Sequence, residues 1–149
     1  MQNNPAKNTK HYHRDLFEKI KPFYKVREII AILGPRQVGK TTLLNMVFEE
    51  LSQDKKCLFL TFENRSDLEI FQSDIDSFKK LYCNKYEVIF IDEFQYAKEA
   101  GQKLKYLFDT TNVKFFISGS SSLEIKDAGK YLVGRVFTFY LNPFSFSEY

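Results

Sequence analysis

Apolar and polar positions along this chain follow two rhythms that alternate from one end to the other. Five short runs are almost continuously apolar: Ile29 to Leu33, Cys57 to Phe62, Val88 to Ile91, Val113 to Ile117 and Val136 to Leu141. Runs of this length, rich in β-branched and aromatic residues, predict strands, and the lack of a polar face predicts cover on both sides. Between them apolar residues recur three and four apart, the spacing of amphipathic helices. Leu43, Leu44, Val47, Phe48 and Leu51 form one such face, and Leu68, Phe71, Ile75, Phe78 and Tyr82 form a second. Ala97, Ala100, Leu104, Leu107 and Phe108 form a third, and a short helix is expected around Leu123 to Lys126. The second helix starts at Ser66, which makes a capping box with Glu69. Another helix precedes the first strand, with Leu16, Phe17, Ile20 and Tyr24 on one side and Pro22 near its end.

Strands alternating with helices predict an α/β fold with a mainly parallel sheet. Residues 1–12 are polar and read as a flexible arm; residues 13–149 read as one core. Composition changes this picture little. A hydrophobic content of 44% suits a globular chain, and the Phe-rich aromatics fall inside the periodic segments, where they fill a core. A net charge of +3 without a continuous basic stripe leaves a nucleic-acid partner unsupported. Cys57 and Cys83 are isolated thiols, and His11 and His13, two apart, have nothing near them in sequence to complete a metal site. No apolar stretch approaches the roughly 18 residues of a membrane helix, and Met1 to Lys10 are polar and lack the apolar core of a signal peptide. A membrane partner is therefore not expected, and the cytoplasm is the expected compartment.

The chemistry is concentrated at strand ends. After the first strand comes Gly34-Pro35-Arg36-Gln37-Val38-Gly39-Lys40-Thr41, followed by Thr42 and the first amphipathic helix. Strand, glycine-bounded loop and helix N-terminus together aim backbone N–H groups at phosphates. In this reading Gly34 to Thr42 hold the phosphates of ATP, Lys40 reaches the β- and γ-phosphates, and Thr41 ligates Mg²⁺. The third strand ends in Asp92-Glu93, at the strand end where open α/β sheets place ligands. Asp92 is expected to hold Mg²⁺ opposite Thr41, and Glu93 to polarise a water for attack on the γ-phosphate. A glutamate directly after the metal-linked aspartate points to water as acceptor and to an extra strand between the loop strand and the Asp strand. Ser118 and Ser120, after the fourth strand, have two readings: contact with the γ-phosphate or its water, or caps of the next helix. Arg135, before the fifth strand, serves its own site, serves a neighbouring subunit as an arginine finger, or is a surface residue.

Taken in order, GPRQVGKTTLL, IDEFQ, ISGSSSLEI, LVGR and LNPFSFSEY resemble the archaeal and bacterial AAA+-like ATPases of the AAA domain 14 group, from about Arg14 to Tyr149. The resemblance implies a five-stranded parallel sheet in the order 5-1-4-3-2, with ATP and Mg²⁺ as ligands and ADP as product. By position it assigns Gly34, Gly39, Lys40 and Thr41 to the phosphate loop, and Asp92 and Glu93 to metal and water. It also assigns Ser118 to Ser120 to a sensor region and Arg135 to an arginine finger that implies a homo-oligomer. Arg14 matches an arginine frequent in the family, and Asn64 lies where some AAA+ proteins hold the catalytic glutamate. Such proteins continue beyond the L-x-P-x-S-F-x-E segment into a helical lid and a further domain. The lid is not in this sequence, which implies slow hydrolysis, weaker nucleotide affinity and an unidentified partner or downstream domain. Two other readings compete: a non-hydrolysing nucleotide-binding module, and a superfamily-1 helicase fragment suggested by Asp92-Glu93-Phe94-Gln95.

Overall fold

The computed structural model describes residues 15–35, 39–120 and 130–141. Within it, residues 15–20 are helical (α1) and pass into a 3-10 turn, Lys21–Phe23, with Pro22 at a position that needs no N–H. The strands are β1 (Ile29–Leu33), β2 (Cys57–Thr61), β3 (Val88–Asp92), β4 (Lys114–Gly119) and β5 (Val136–Tyr140). Between them lie α2 (Lys40–Leu51), α3 (Arg65–Ser73), α4 (Ile75–Phe78) and α5 (Ala100–Thr110). All pairings are parallel, in the order β2-β3-β4-β1-β5. This is the expected order read from the other edge, and β4 does lie between β1 and β3.

Period-two alternation divides the core into two layers. Ile30, Ile32, Phe90 and Phe116 face α2, which contributes Leu43, Leu44, Val47 and Leu51. Ile29, Ala31, Ile89, Ile91 and Phe115 face the other way, toward Phe71 of α3 and Leu104 and Leu107 of α5. Phenylalanines carry much of the packing: the rings of Phe90 and Phe116 stack at 4.8 Å, and Phe48 meets Phe90 edge-on at 5.4 Å. Stacked and edge-to-face pairs add stabilisation beyond the area they bury. The expectation that every strand is covered on both faces holds for β1, β3 and β4 and fails at the edges. The residues of β2 are mostly half-buried, and Phe137 and Tyr140 of β5 are 41% and 66% exposed, because each edge strand has a neighbour on one side only.

Two helix boundaries differ from the sequence reading. The cap of α3 is Asn64, not Ser66: Asn64 Oδ1 accepts from the N–H groups of Ser66 at 2.9 Å and Asp67 at 3.4 Å. The single helix expected from Ser66 onward breaks at Asp74, whose carboxylate accepts from Ser77 N at 3.1 Å and Ser77 Oγ at 2.6 Å. A side chain that bonds the following backbone competes with the helical ladder, so Asp74 ends one helix and caps the next. A π-helical turn, Lys79–Cys83, then carries the chain toward β3.

Candidate functional site

The site forms where β1, β3 and β4 end on the same side of the sheet. Gly34 N donates to Gly119 O at 3.2 Å, so the chain leaving β1 stays paired with β4 one residue past the strand. Gly39 then takes φ 88, the left-handed region that suits glycine, and turns the backbone directly into α2. The first N–H groups of α2 have no intrahelical acceptor and are open to a ligand's acceptors. Lys40 is the first residue of the helix and is only 5% exposed. Its Nζ donates to Gly34 O at 2.8 Å and Pro35 O at 2.9 Å, so its ammonium reaches back to the residues that leave β1.

Thr41 and Asp92 meet across the sheet. Thr41 Oγ1 donates to Asp92 Oδ2 at 2.7 Å, and Asp92 Oδ1 accepts from the hydroxyl of fully buried Ser118. Both carboxylate oxygens are thereby held before any ligand arrives. The register explains the meeting: Ser118 pairs with Ile32 on β1, and β4 pairs on its other side with β3. Glu93, the residue after β3, adopts φ 56, a conformation that costs a non-glycine residue roughly 1 kcal/mol or more. Its N–H donates to Ser118 Oγ at 3.3 Å, and its carboxylate accepts from Gln95 Nε2 at 2.7 Å. Gln95 Oε1 in turn accepts from Ser120 N at 3.3 Å. Asp92, Ser118, Glu93, Gln95 and Ser120 thus form one hydrogen-bonded chain along the strand tips.

This donor set suits a magnesium–phosphate ligand. A threonine hydroxyl and one carboxylate are hard oxygen donors, and Mg²⁺ usually takes one or two such groups plus substrate phosphates. Among the described residues no group of three or more His, Cys, Asp or Glu gathers as a metal cage of the protein's own.

The structure brings together Gly34, Pro35, Gly39, Lys40, Thr41, Asp92, Glu93 and Ser118. Thr42 follows on α2, exposed. It does not bring Arg135 to its own chain's site. Parallel pairing puts Arg135 at the start of β5, where its carbonyl accepts from Ile29 N at 2.7 Å, at the far end of the sheet. There its guanidinium grips Asp109 through Nε at 3.0 Å and Nη2 at 3.3 Å. Asn64 is engaged as the α3 cap, and the side chain that touches Glu93 is Gln95. The sequence reading had Gln95 only within the IDEFQ motif and the helicase-like box, with no role of its own. Arg14, His11, His13, Arg36, Gln37, Val38, the serines at 121 and 122, the short helix around 123–126 and the segment 142–149 lie outside the described residues.

Comparison with known proteins agrees with this geometry. Residues 26–149 match a family described as AAA domain. An uncharacterized protein of Methanocaldococcus jannaschii, MJ1637, is 27% identical over 132 residues, a match covering 83% of this chain and 28% of the relative. The chain therefore spans less than a third of that relative's length. Among solved structures, AMPPCP-bound DnaA from Aquifex aeolicus superposes with a TM-score of 0.63 at 13% identity, covering 93% of this chain and 50% of that one. Domain III of the Thermotoga maritima replication initiation protein DnaA gives 0.58 at 18% identity, covering 93% and 64%. A chain of Drosophila ORC bound to DNA gives 0.64 at 14% identity, covering 93% and 94%. At such identities the likeness concerns the fold.

Proposed function

This chain belongs to the AAA domain family, and on that footing we propose that it binds ATP with Mg²⁺ and hydrolyses the terminal phosphoanhydride. The observation that carries the reading is the 2.7 Å bond from Thr41 Oγ1 to Asp92 Oδ2, beside a buried Lys40. A loop match alone leaves the metal side of the site open, whereas this bond joins the two oxygen donors that Mg²⁺ requires. The analogue-bound DnaA neighbour supports a nucleotide as ligand for this fold.

In the proposed reaction the backbone from Gly34 to Thr42 and the N-terminus of α2 hold the phosphate tail. Lys40 exchanges its carbonyl partners for phosphate oxygens, a stronger charge-assisted bond. Thr41 and Asp92 are the residues that would hold Mg²⁺, which when bound neutralises charge on the β- and γ-oxygens. Glu93 orients a water and accepts its proton as the water oxygen bonds to the γ-phosphorus. The bond from that phosphorus to the bridging oxygen breaks, and ADP leaves with the electron pair. Gln95 sets the direction of the Glu93 carboxylate, and Ser118 sets that of Asp92. Arg135, paired with Asp109 at the far end of the sheet, takes no part in its own chain's reaction, which leaves a neighbouring copy's nucleotide or a purely structural pairing as its role.

Replacing Glu93 by Gln should abolish phosphate release from ATP while leaving ATP affinity within about twofold, because only the proton acceptor is lost. Lys40→Ala should weaken ATP binding by at least about tenfold. Equal phosphate release by wild type and the Glu93 variant would instead make the chain a binding module without turnover. Unchanged affinity in the Lys40 variant would remove the nucleotide site altogether.

A further inference from the structure

All strands of the sheet start on the side opposite the candidate nucleotide site, and a basic residue stands at each of the first four starts. Lys25 and Arg27 precede β1, Lys55 and Lys56 precede β2, Lys85 precedes β3, and Lys114 opens β4. Because the sheet is parallel, these scattered positions meet at one end. They line an open cleft of about 1050 Å³, joined by Lys79. That volume is at the top of the range for pockets that take one drug-sized molecule.

Cations at this end have an ordinary explanation, because α2, the α4–π segment and α5 end here and lysines complement helix C-termini. At roughly half a negative charge per helix, the ends supply about −1.5 in all. The cleft carries seven cationic side chains, and Glu87 is the one acid among its described lining residues. A surplus of several positive charges remains. Arg27 is committed to structure: it donates to the carbonyls of Phe108 and, at 2.7 Å, Thr111, and stacks on the Phe108 ring. Lys79 lies over the Tyr106 ring at 5.2 Å. Lys25, Lys55, Lys56 and Lys85 are exposed, and none of the seven stands in an ion pair among the described residues. Lys114, half-buried, donates to Val26 O at 2.9 Å and to Glu28 O and lies over the Phe116 ring at 5.4 Å, so it adds charge at the cleft floor while the exposed lysines are the ones open to a ligand.

We propose that this cleft binds the phosphate backbone of single-stranded nucleic acid, at a site separate from the ATP loop. Lysine outnumbers arginine six to one here, whereas protein interfaces are depleted in lysine and favour arginine. Of the apolar residues of the lining, Leu51, Val88 and Val113 are buried in the core and only Val26 and Cys83 are half-buried, so the cleft offers no large apolar anchor for a peptide. Tyr24 and Tyr86 also line the cleft but pack against the core, Tyr24 edge-on to Phe116 at 6.0 Å, so the grip proposed is on the phosphate backbone and not on the bases. An open cleft of this volume suits a single strand better than a flat bilayer or a duplex.

The test is fluorescence anisotropy of the whole chain with a labelled 20-nucleotide oligo(dT) at low salt. Wild type should bind, with log affinity falling against log salt at a slope of about −2 to −3, as four or so phosphate contacts on a single strand require. Lys55→Glu/Lys56→Glu/Lys85→Glu should lose about tenfold or more in affinity and flatten that slope by about 2. It should keep the wild-type melting temperature and ATP affinity, and Lys→Gln at the same positions should show a smaller loss in the same direction. Lys40→Ala should bind the oligonucleotide like wild type, which separates this cleft from the ATP reading. Wild-type affinity in both charge variants would overturn the proposal. So would poly-glutamate competing as well as the oligonucleotide, which would assign the cleft to acidic protein segments, or duplex DNA competing equally.

Discussion

Asp92 is a buried carboxylate with a hydroxyl on each oxygen, Thr41 on one side and Ser118 on the other. Such an arrangement fixes the carboxylate's orientation in advance, which is what a metal-linked group needs. The next residue is held in an unfavourable backbone conformation and steered by Gln95, so its carboxylate is also aimed before substrate arrives. Gln95→Ala should therefore lower kcat for ATP hydrolysis by about tenfold with KM nearly unchanged, since the base remains but loses its guide. An equal rise in KM would make Gln95 a binding residue instead. Lys114 gives a second prediction at this scale. Burial pushes its pKa down from 10.5 to about 8. Below about pH 8 the folded protein bears the full cost of desolvating the ammonium. Between about 8 and 10.5 the unfolded chain holds a proton that the folded one lacks, so stability rises with pH until the cost is gone. The stability of wild type relative to Lys114→Met should grow across that window in denaturant titrations; a flat difference would refute the shift. The phosphate loop and the Asp-Glu pair were legible because each is a run of consecutive residues. Gln95 was not, because its role depends on a turn that brings residue 95 back beside residue 93.

At the scale of elements, the strands were read to within two residues, the largest miss being the end of β4 at Gly119, because continuous apolar runs leave little choice. Helix ends were read less well, and the reason is specific. Asn64 and Ser66 are both cap-forming residues, and sequence alone does not say which hydroxyl or amide finds the free N–H groups. In the fold Asn64 takes both of them. Asn64→Ala should cost about 1 kcal/mol of stability by losing that cap, whereas Asn64→Asp should keep most of it. Ser66→Ala should be nearly silent in the same melts; a larger loss at Ser66 than at Asn64 would return the cap to the capping box. Asp74 was hidden for a similar reason, since the apolar period continues smoothly through Phe71, Ile75 and Phe78 while the backbone breaks beneath it.

For the whole molecule, the parallel sheet sorts the chain's chemistry into two ends. Hydroxyls and carboxylates gather where β1, β3 and β4 finish, and lysines gather where the strands begin. The first was readable because its residues cluster in sequence; the second was read as no basic stripe because its residues are spread from Lys25 to Lys114 and only pairing collects them. The same topology bears on how the protein acquires its shape. β2 and β3, with Cys57 opposite Val88, are close along the chain, whereas β1 waits for distant partners, Phe116 opposite Ile30 and Val136 opposite Ile29. Long-range pairings close late because the entropy of large loops must be overcome first. Gly34 is paired with the distant Gly119, so this part of the site is expected to assemble after the folding barrier has been crossed. A ligand gripped there should leave the refolding arm of a chevron plot where it was and slow only the unfolding arm, as expected for contacts absent from the transition state.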